Sequence, residues 1–178
     1  MSMAVSPLSS KPFTRAVVVM GVTSCGKSTI GAAIAAHFGI PFIEGDKLHP
    51  PENIEKMSAG IPLTDDDRWP WLHEIGSTLS GEEGRVASCS ALKRSYRKFI
   101  VETAGKPVWF VHLHGNHKVL EARGKARKGH FMPPSLLASQ LATLELPGPD
   151  EHAATIDIDR EVNSVVEEAI AFLLNTVD

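Results

Sequence analysis

Ala16-Val17-Val18-Val19-Met20-Gly21-Val22-Thr23-Ser24-Cys25-Gly26-Lys27-Ser28-Thr29 is the stretch whose reading decides the fold. Five apolar residues, four of them able to sit on a pleated buried surface, end at a glycine. Gly21 to Ser28 then fits G-x-x-x-x-G-K-[ST], and a helix-like run from Thr29 to Phe38 follows. A strand that ends in such a turn, with a helix starting directly after it, aims the helix's unbonded N–H groups at one point, and that point suits phosphate. The backbone of Gly21, Val22, Thr23, Ser24, Cys25, Gly26, Lys27, Ser28 and Thr29 is therefore the expected nucleotide cradle. Lys27 would reach the outer phosphates as a point charge, and the Ser28 hydroxyl would ligate Mg²⁺. ATP and Mg²⁺ are the implied cofactors.

Outward from this loop, strand and helix signals alternate. Ile30, Ala33, Ile34 and Phe38 fall at helical spacing, and Gly39 with Pro41 stops the helix. Pro41 to Glu44 reads as a short strand that delivers Gly45-Asp46 at its carboxyl end, where open α/β sheets bind ligands. Pro51 suits the first turn of a helix over Glu52 to Ala59, and Gly60-Ile61-Pro62 breaks it. Thr64 to Arg68 is a capping stretch for a helix from about Trp69 to Leu79. Arg85 to Cys89 is a strand, Ser90 is the expected cap of a helix carrying Leu92, Tyr96 and Ile100, and Pro107 to Leu113 is a buried strand. Helices are expected from Asn116 to about Arg127, from Ser135 to Leu144, and over a stripe from Val162 to Leu173, with a strand at Ala153 to Ile158 between the last two. Strands separated by helices pair in parallel through right-handed crossovers. The expected fold is α/β: a three-layer, nucleotide-kinase-like domain with a central parallel sheet of about five strands flanked by helices. Residues 15–178 form that single domain, residues 1–14 are a loose tail, and 123–134 is a lid segment.

Bulk properties narrow the class. With 178 residues, 43% hydrophobic and 22% charged, the chain is long enough to bury its own core. A net charge of -3 argues against a nucleic-acid backbone as partner, so any cationic site is local. No apolar run approaches a membrane span, and Met1 to Arg15 lacks the apolar centre of a signal peptide. Two cysteines do not make a disulfide framework, so a cytoplasmic setting is expected.

A phosphate loop identifies a nucleotide user and leaves its substrate open. The stretch from Gly45-Asp46-Lys47-Leu48-His49-Pro50-Pro51 to Met57 carries more information, as does Gly60-Ile61-Pro62-Leu63-Thr64-Asp65-Asp66-Asp67-Arg68-Trp69-Pro70-Trp71-Leu72. Together with Cys89 to Arg97, Arg127 to Met132, Ser139-Gln140, Leu144-Glu145 and Pro147, these segments closely resemble the gluconokinase family. The resemblance runs in order from about Val17 to Asp159. It implies ATP-dependent phosphorylation of D-gluconate to 6-phospho-D-gluconate, feeding the pentose phosphate or Entner-Doudoroff routes, in a protein whose relatives are commonly homodimers. Two positions depart from the family pattern: Ser24 stands where it favours glycine, and Gly124 where it favours a bulky aliphatic residue. A helical glycine costs about 1 kcal/mol, so a looser lid hinge is expected.

Moving a γ-phosphoryl group onto a primary alcohol needs neutralised phosphate charge, an in-line hydroxyl and exclusion of water. Lys27, with Arg123 and Arg127 of the basic lid segment, are the candidates for charge stabilisation. Asp46 is the candidate for orienting the accepting hydroxyl and taking its proton while contacting Mg²⁺ through water. Arg68, Lys93 and Arg97 are candidates for gripping the gluconate carboxylate; His49, Lys56 and Gln140 for reading hydroxyls. Asp65-Asp66-Asp67 is open to two readings, a metal site or a helix cap. His112, His114 and His117 lack a known ligand spacing and are not read as a metal centre. Cys25 and Cys89 would come together if the first strand pairs with the third, and their oxidation would then block ATP entry. A nucleotide-dependent switch and a kinase for shikimate or a nucleotide are the competing readings. No guanine-reading N-K-x-D motif supports the former.

Overall fold

The computed structural model describes residues 11–127 and 133–175. Its centre is a five-stranded parallel sheet of β1 Ala16–Met20, β2 Phe42–Glu44, β3 Arg85–Ser88, β4 Val108–His114 and β5 Ala153–Asp157, in the order β2-β3-β1-β4-β5. β1 lies in the middle, with Val18 beside Ala87 on one side and Phe110 on the other. A central strand covered on both faces has no solvated side, which is why all five of its residues are apolar and fully buried.

Around the sheet lie α1 Lys27–Phe38, α2 Pro51–Ser58, α3 Asp65–Leu79, α4 Arg94–Ala104, α5 His117–Ala126, α6 Pro134–Thr143 and α7 Val162–Asn175. From β1 the chain crosses to β2 at one edge; every later crossover moves the other way across the sheet. Right-handed connections then put α1 on one face and the helices between later strands on the opposite one. The packing agrees: α1 contacts α7, and α3 contacts α4. The helix pair α3 and α4 approaches closely at Gly76, where a Cβ would come within 2.5 Å of the Thr103 Cβ.

Two local expectations are corrected. The third helix begins at Asp65, four residues before Trp69, because Thr64 and Asp67 form a reciprocal capping box: the Thr64 hydroxyl accepts from the Asp67 amide and the Asp67 carboxylate accepts from the Thr64 amide. Pro70 stands inside that helix, where it withholds an amide from the Asp66 carbonyl; both residues are exposed. Ser90 does not cap α4. That helix starts at Arg94, and the Arg94 amide donates to the Glu145 carboxylate, 2.9 Å away and 51 residues later in the chain. Asn116 caps α5 as expected, accepting from the Val119 amide, and Pro51 opens α2.

The helix α5 runs unbroken through Gly124, and the described part of the proposed lid is limited to Arg123–Arg127, Pro133 and Pro134; residues 128–132 lie outside the described residues. So do residues 1–10 of the proposed tail. No helix among the described residues is long and apolar enough to cross a membrane.

Candidate active site

The loop after β1 is shaped by three residues in left-handed or glycine-only conformations: Gly21 (φ 144°), Ser24 (φ 67°) and Gly26 (φ 96°). At Gly21 the requirement is also steric, since a Cβ would stand 2.7 Å from the Cys25 sulfur and 2.8 Å from the Leu113 carbonyl oxygen. Gly26 precedes α1 without a side-chain cap, and the first turn of α1 holds no acidic residue. Its unbonded amides therefore present the positive helix end to whatever lies in front of it. In front is a cleft of about 990 Å³ lined by Thr23, Ser24, Gly26, Lys27, Ser28 and Thr29 on the loop side. The Lys27 ammonium donates to the Val22 carbonyl, 2.9 Å away, and so is held over the loop.

The opposite wall is built at the end of β2. Gly45 is placed there because nothing larger fits: a Cβ would lie 1.8 Å from the Ser88 carbonyl oxygen. The Gly45 amide donates to the Ser88 hydroxyl, which donates to Glu44, and the Gly45 carbonyl accepts from the Trp71 indole. With the backbone pinned at Gly45, exposed Asp46 lines the cleft beside Glu44. His49 stacks on Trp71 at 4.0 Å, and its Nδ1 faces the Asn53 amide nitrogen at 3.2 Å. Asn53 Nδ2 also donates to the Asp67 carbonyl, so Nδ1 is the acceptor of the ring and Nε2 carries the hydrogen. Buried Arg68 donates from Nη1 to the Tyr96 hydroxyl at 2.8 Å. Across the cleft, the Thr23 amide donates to the Gln140 carboxamide oxygen at 2.7 Å, and Arg123 donates to the Ile158 carbonyl at 2.7 Å. Arg127 completes the rim.

Of the residues singled out by sequence, the structure brings Lys27, Ser28, Asp46, His49, Arg68, Arg123, Arg127 and Gln140 to this one cleft. Three others are elsewhere. Arg97 is 1% exposed and spends its guanidinium on both Glu151 oxygens and on the Ala91 and Leu92 carbonyls, so it cannot grip a substrate. Lys56 pairs with Asp67 at 2.8 Å and Lys93 with Asp65 at 3.1 Å; both serve the first turn of α3 outside the cleft lining. The Lys56 bond, with help from the Thr64 amide, holds the Asp67 carboxyl down at about 2. Asp65 and Asp67 are therefore engaged in capping and pairing, which decides between the two readings of the acidic run.

The sequence reading missed Glu44 and Ser90, which line the cleft, and the Tyr96 hydroxyl, which accepts from Arg68. Glu44 had a legible signal, since it ends the same strand that delivers Asp46; Ser90 and Tyr96 become visible only when α3, α4 and the phosphate loop meet. A further cavity of about 80 Å³ was also missed. It adjoins the cleft behind Thr29 and lies between Ile30, Arg123, Ile158, Arg160 and Val162. Val162, expected to pack on the sheet, is half exposed at its rim.

Cys25 and Cys89 are both free and fully buried. Burial pushes the Cys89 thiol up to about 12, which leaves it protonated and unreactive. β1 does pair with β3, as the oxidation idea required, but neither thiol is open to an oxidant in this fold.

Ser24 and Gly124 face each other. A Cβ on Gly124 would come 3.2 Å from the Ser24 hydroxyl oxygen, so the small residue on α5 makes room for the larger one on the loop. Ser24→Gly is expected to stabilise the fold by about 1 kcal/mol by relieving the left-handed backbone of a non-glycine residue. Gly124→Ala should then gain more in the Ser24→Gly background than alone, a coupling of about 0.5 kcal/mol readable from a urea double-mutant cycle. Additive effects would show that the two positions are independent.

Burial lowers the pKa of His49 to about 4, with Asp46 opposing and Arg68 assisting. Burial lowers that of His112 to about 4 as well, aided by the charges of His114 and Arg97. Both folded values lie below the unfolded value of 6.5, so between pH 6.5 and 4 the unfolded chain binds protons that the folded one refuses. Stability should therefore be level above that window and fall with pH within it, by up to about 1.4 kcal/mol per pH unit for each histidine. Urea unfolding at pH 7 and pH 4.5 checks this, and His112→Asn should flatten the slope.

Comparisons with known proteins agree with this geometry. No protein-family model matches the chain. A gluconokinase of Gluconobacter oxydans (strain 621H) is 48% identical over 160 residues, covering 88% of this chain and 89% of its own. The crystal structure of a gluconokinase from Sinorhizobium meliloti 1021 superposes with a TM-score of 0.86 at 54% identity, covering 92% of this chain and 94% of that one. A Mycobacterium tuberculosis APS kinase, 18% identical with a TM-score of 0.65, shares the fold.

Proposed function

The chain belongs to the gluconokinase family, and from that premise we propose that it transfers the γ-phosphoryl group of ATP to the terminal hydroxyl of D-gluconate, yielding ADP and 6-phospho-D-gluconate. One observation carries the reading: a single cleft joins an uncapped helix N-terminus and Lys27 on one wall to a carboxylate, Asp46, and a buried guanidinium, Arg68, on the other.

The residues divide the work by charge. The amides of the loop and the α1 N-terminus take the phosphates, and the apolar cavity behind Thr29, closed by Arg123 and Ile158, takes the nucleobase. Arg68 pairs with the gluconate carboxylate, which sets the sugar acid's direction in the cleft. His49 offers its Nε2 hydrogen, and Gln140 its amide, to hydroxyls along the chain. Asp46 accepts the proton of the terminal hydroxyl as the new O–P bond forms and the bond to the ADP oxygen breaks. In a loose transition state that proton transfer contributes modestly, so Asp46 acts chiefly by orienting the nucleophile. Lys27, Arg123 and Arg127 neutralise the charge spreading over the transferred group.

The donors available for Mg²⁺ are oxygens, from the Ser28 hydroxyl and the Asp46 carboxylate, which suits a hard cation that takes its remaining ligands from phosphates and water. Bound there, the ion would supply charge neutralisation at the phosphates. The resemblance further supports a homodimer, and the two free thiols support the reducing cytoplasm; sedimentation and fractionation are their respective tests.

A coupled ADP-release assay over gluconate, shikimate and nucleoside monophosphates tests the activity. Gluconate should be turned over at least about a hundredfold faster in kcat/KM than either alternative. Comparable turnover of shikimate or a nucleotide, or none with any acceptor, would reject the reading.

A further inference from the structure

Arg68 is buried, and among the described residues it makes no ion pair. Its hydrogen-bond partner is a neutral phenol, through Nη1, and its ring contact is with the same residue, 5.3 Å from guanidinium carbon to centroid. A guanidinium removed from bulk water without an acid beside it is costly unless an anion arrives. Arg68 also lines the cleft.

The phenol is itself tied. Tyr96 is 1% exposed, and its hydroxyl donates to the Asp65 carboxylate. Asp65 also accepts from Lys93, and hydrogen bonds from Tyr96 and Lys93 hold its carboxyl below the usual range, so it is an anion and an acceptor only. A hydroxyl has one hydrogen. With that hydrogen committed to Asp65, the Tyr96 oxygen turns its lone pairs to Arg68, and the polarity of the relay is set from one end.

We propose that Tyr96, held by Asp65, is a positioning residue for substrate specificity: it aims the Arg68 fork into the cleft while leaving the guanidinium charge unneutralised for the carboxylate of a sugar acid. A carboxylate in the place of the phenol would hold Arg68 as firmly but would cancel its charge. An apolar residue would leave the charge intact and the fork free to turn. The phenol does both tasks, and Asp65 keeps its own charge one residue further from the site. This inference rests on the assignment of Arg68 to the gluconate carboxylate.

The test is Tyr96→Phe, which keeps the ring, its edge contact with Trp69 at 5.5 Å and its place in the core. The KM for gluconate should rise about tenfold, as expected for a charge-assisted bond made less direct. The KM for ATP should stay within about twofold and the melting temperature within about 4 °C. Asp65→Ala should raise the gluconate KM in the parent protein and add nothing in the Tyr96→Phe background, because it acts through the same hydroxyl. An unchanged gluconate KM in Tyr96→Phe, or equal rises for gluconate and ATP, would overturn the role of Tyr96; additive effects would remove Asp65 from the relay. Each of these outcomes is read against parent enzyme that turns over gluconate. A folded parent protein with no such turnover would instead reject the function itself, and the inference with it.

Discussion

Lys27→Met should lower kcat about 10³-fold in the ADP-release assay, the scale reached when a preorganised charge at a phosphoryl or oxyanion site is removed. The gluconate KM should move less than about threefold, because Arg68, His49 and Asp46 stand on the other wall of the cleft. The side chain gives up a bond to the Val22 carbonyl, but that carbonyl lies at a loop whose shape is set by Gly21 and Gly26, so the loop persists. The effect therefore reports charge at the transferring phosphoryl group. A loss below about tenfold would mean that Lys27 stays on its loop carbonyl throughout the reaction and that the arginines carry the charge.

Arg97→Met should destabilise the fold by about 3–5 kcal/mol, the usual consequence of removing one partner from a buried ion pair. For a chain of this size that is a fall of roughly 10 °C in melting temperature. The substitution leaves Glu151, with 13% side-chain exposure, without the Arg97 guanidinium, and it strips the Ala91 carbonyl of a donor, while the Leu92 carbonyl keeps the Glu145 amide. Burial pushes the Glu151 carboxyl up, yet the bonds from Arg97 and the Gly148 amide outweigh it and hold the group below its ordinary range, a sign that the pair is engaged. Arg97→Met with Glu151→Leu should recover part of the loss, since no unpaired charge is then buried. The folded fraction of Arg97→Met should keep the parental KM for gluconate. A tenfold higher KM with normal stability would restore Arg97 to the substrate site and contradict the arrangement described here.

These two residues also show how much of the site was legible in the chain. Lys27 sits in a motif whose spacing alone dictates its geometry: a strand end, a tight turn and a helix start are all local events. Asp46 was legible for the same reason, being one residue past a strand end. Arg97, Lys93 and Lys56 looked equally suited to a carboxylate, because sequence shows that a cation is present and not which acid it meets. Glu151, Asp65 and Asp67 are the acids they meet, and two of those three pairings span 28 or more residues. Arg68 escaped that fate through a neighbour, Tyr96, that no helical periodicity would connect to it.

Strand and helix order, the parallel sheet, the phosphate loop and the kind of reaction all follow from patterns within a few dozen residues, because backbone hydrogen bonding and apolar periodicity are local. Helix starts fixed by distant partners, as at Arg94 and Glu145, and the division of the cations between scaffold and cleft were settled only by packing. A charged side chain takes whichever partner lies nearest once the core has closed, and nearness between α3, α4 and the β5 approach is a property of the folded chain.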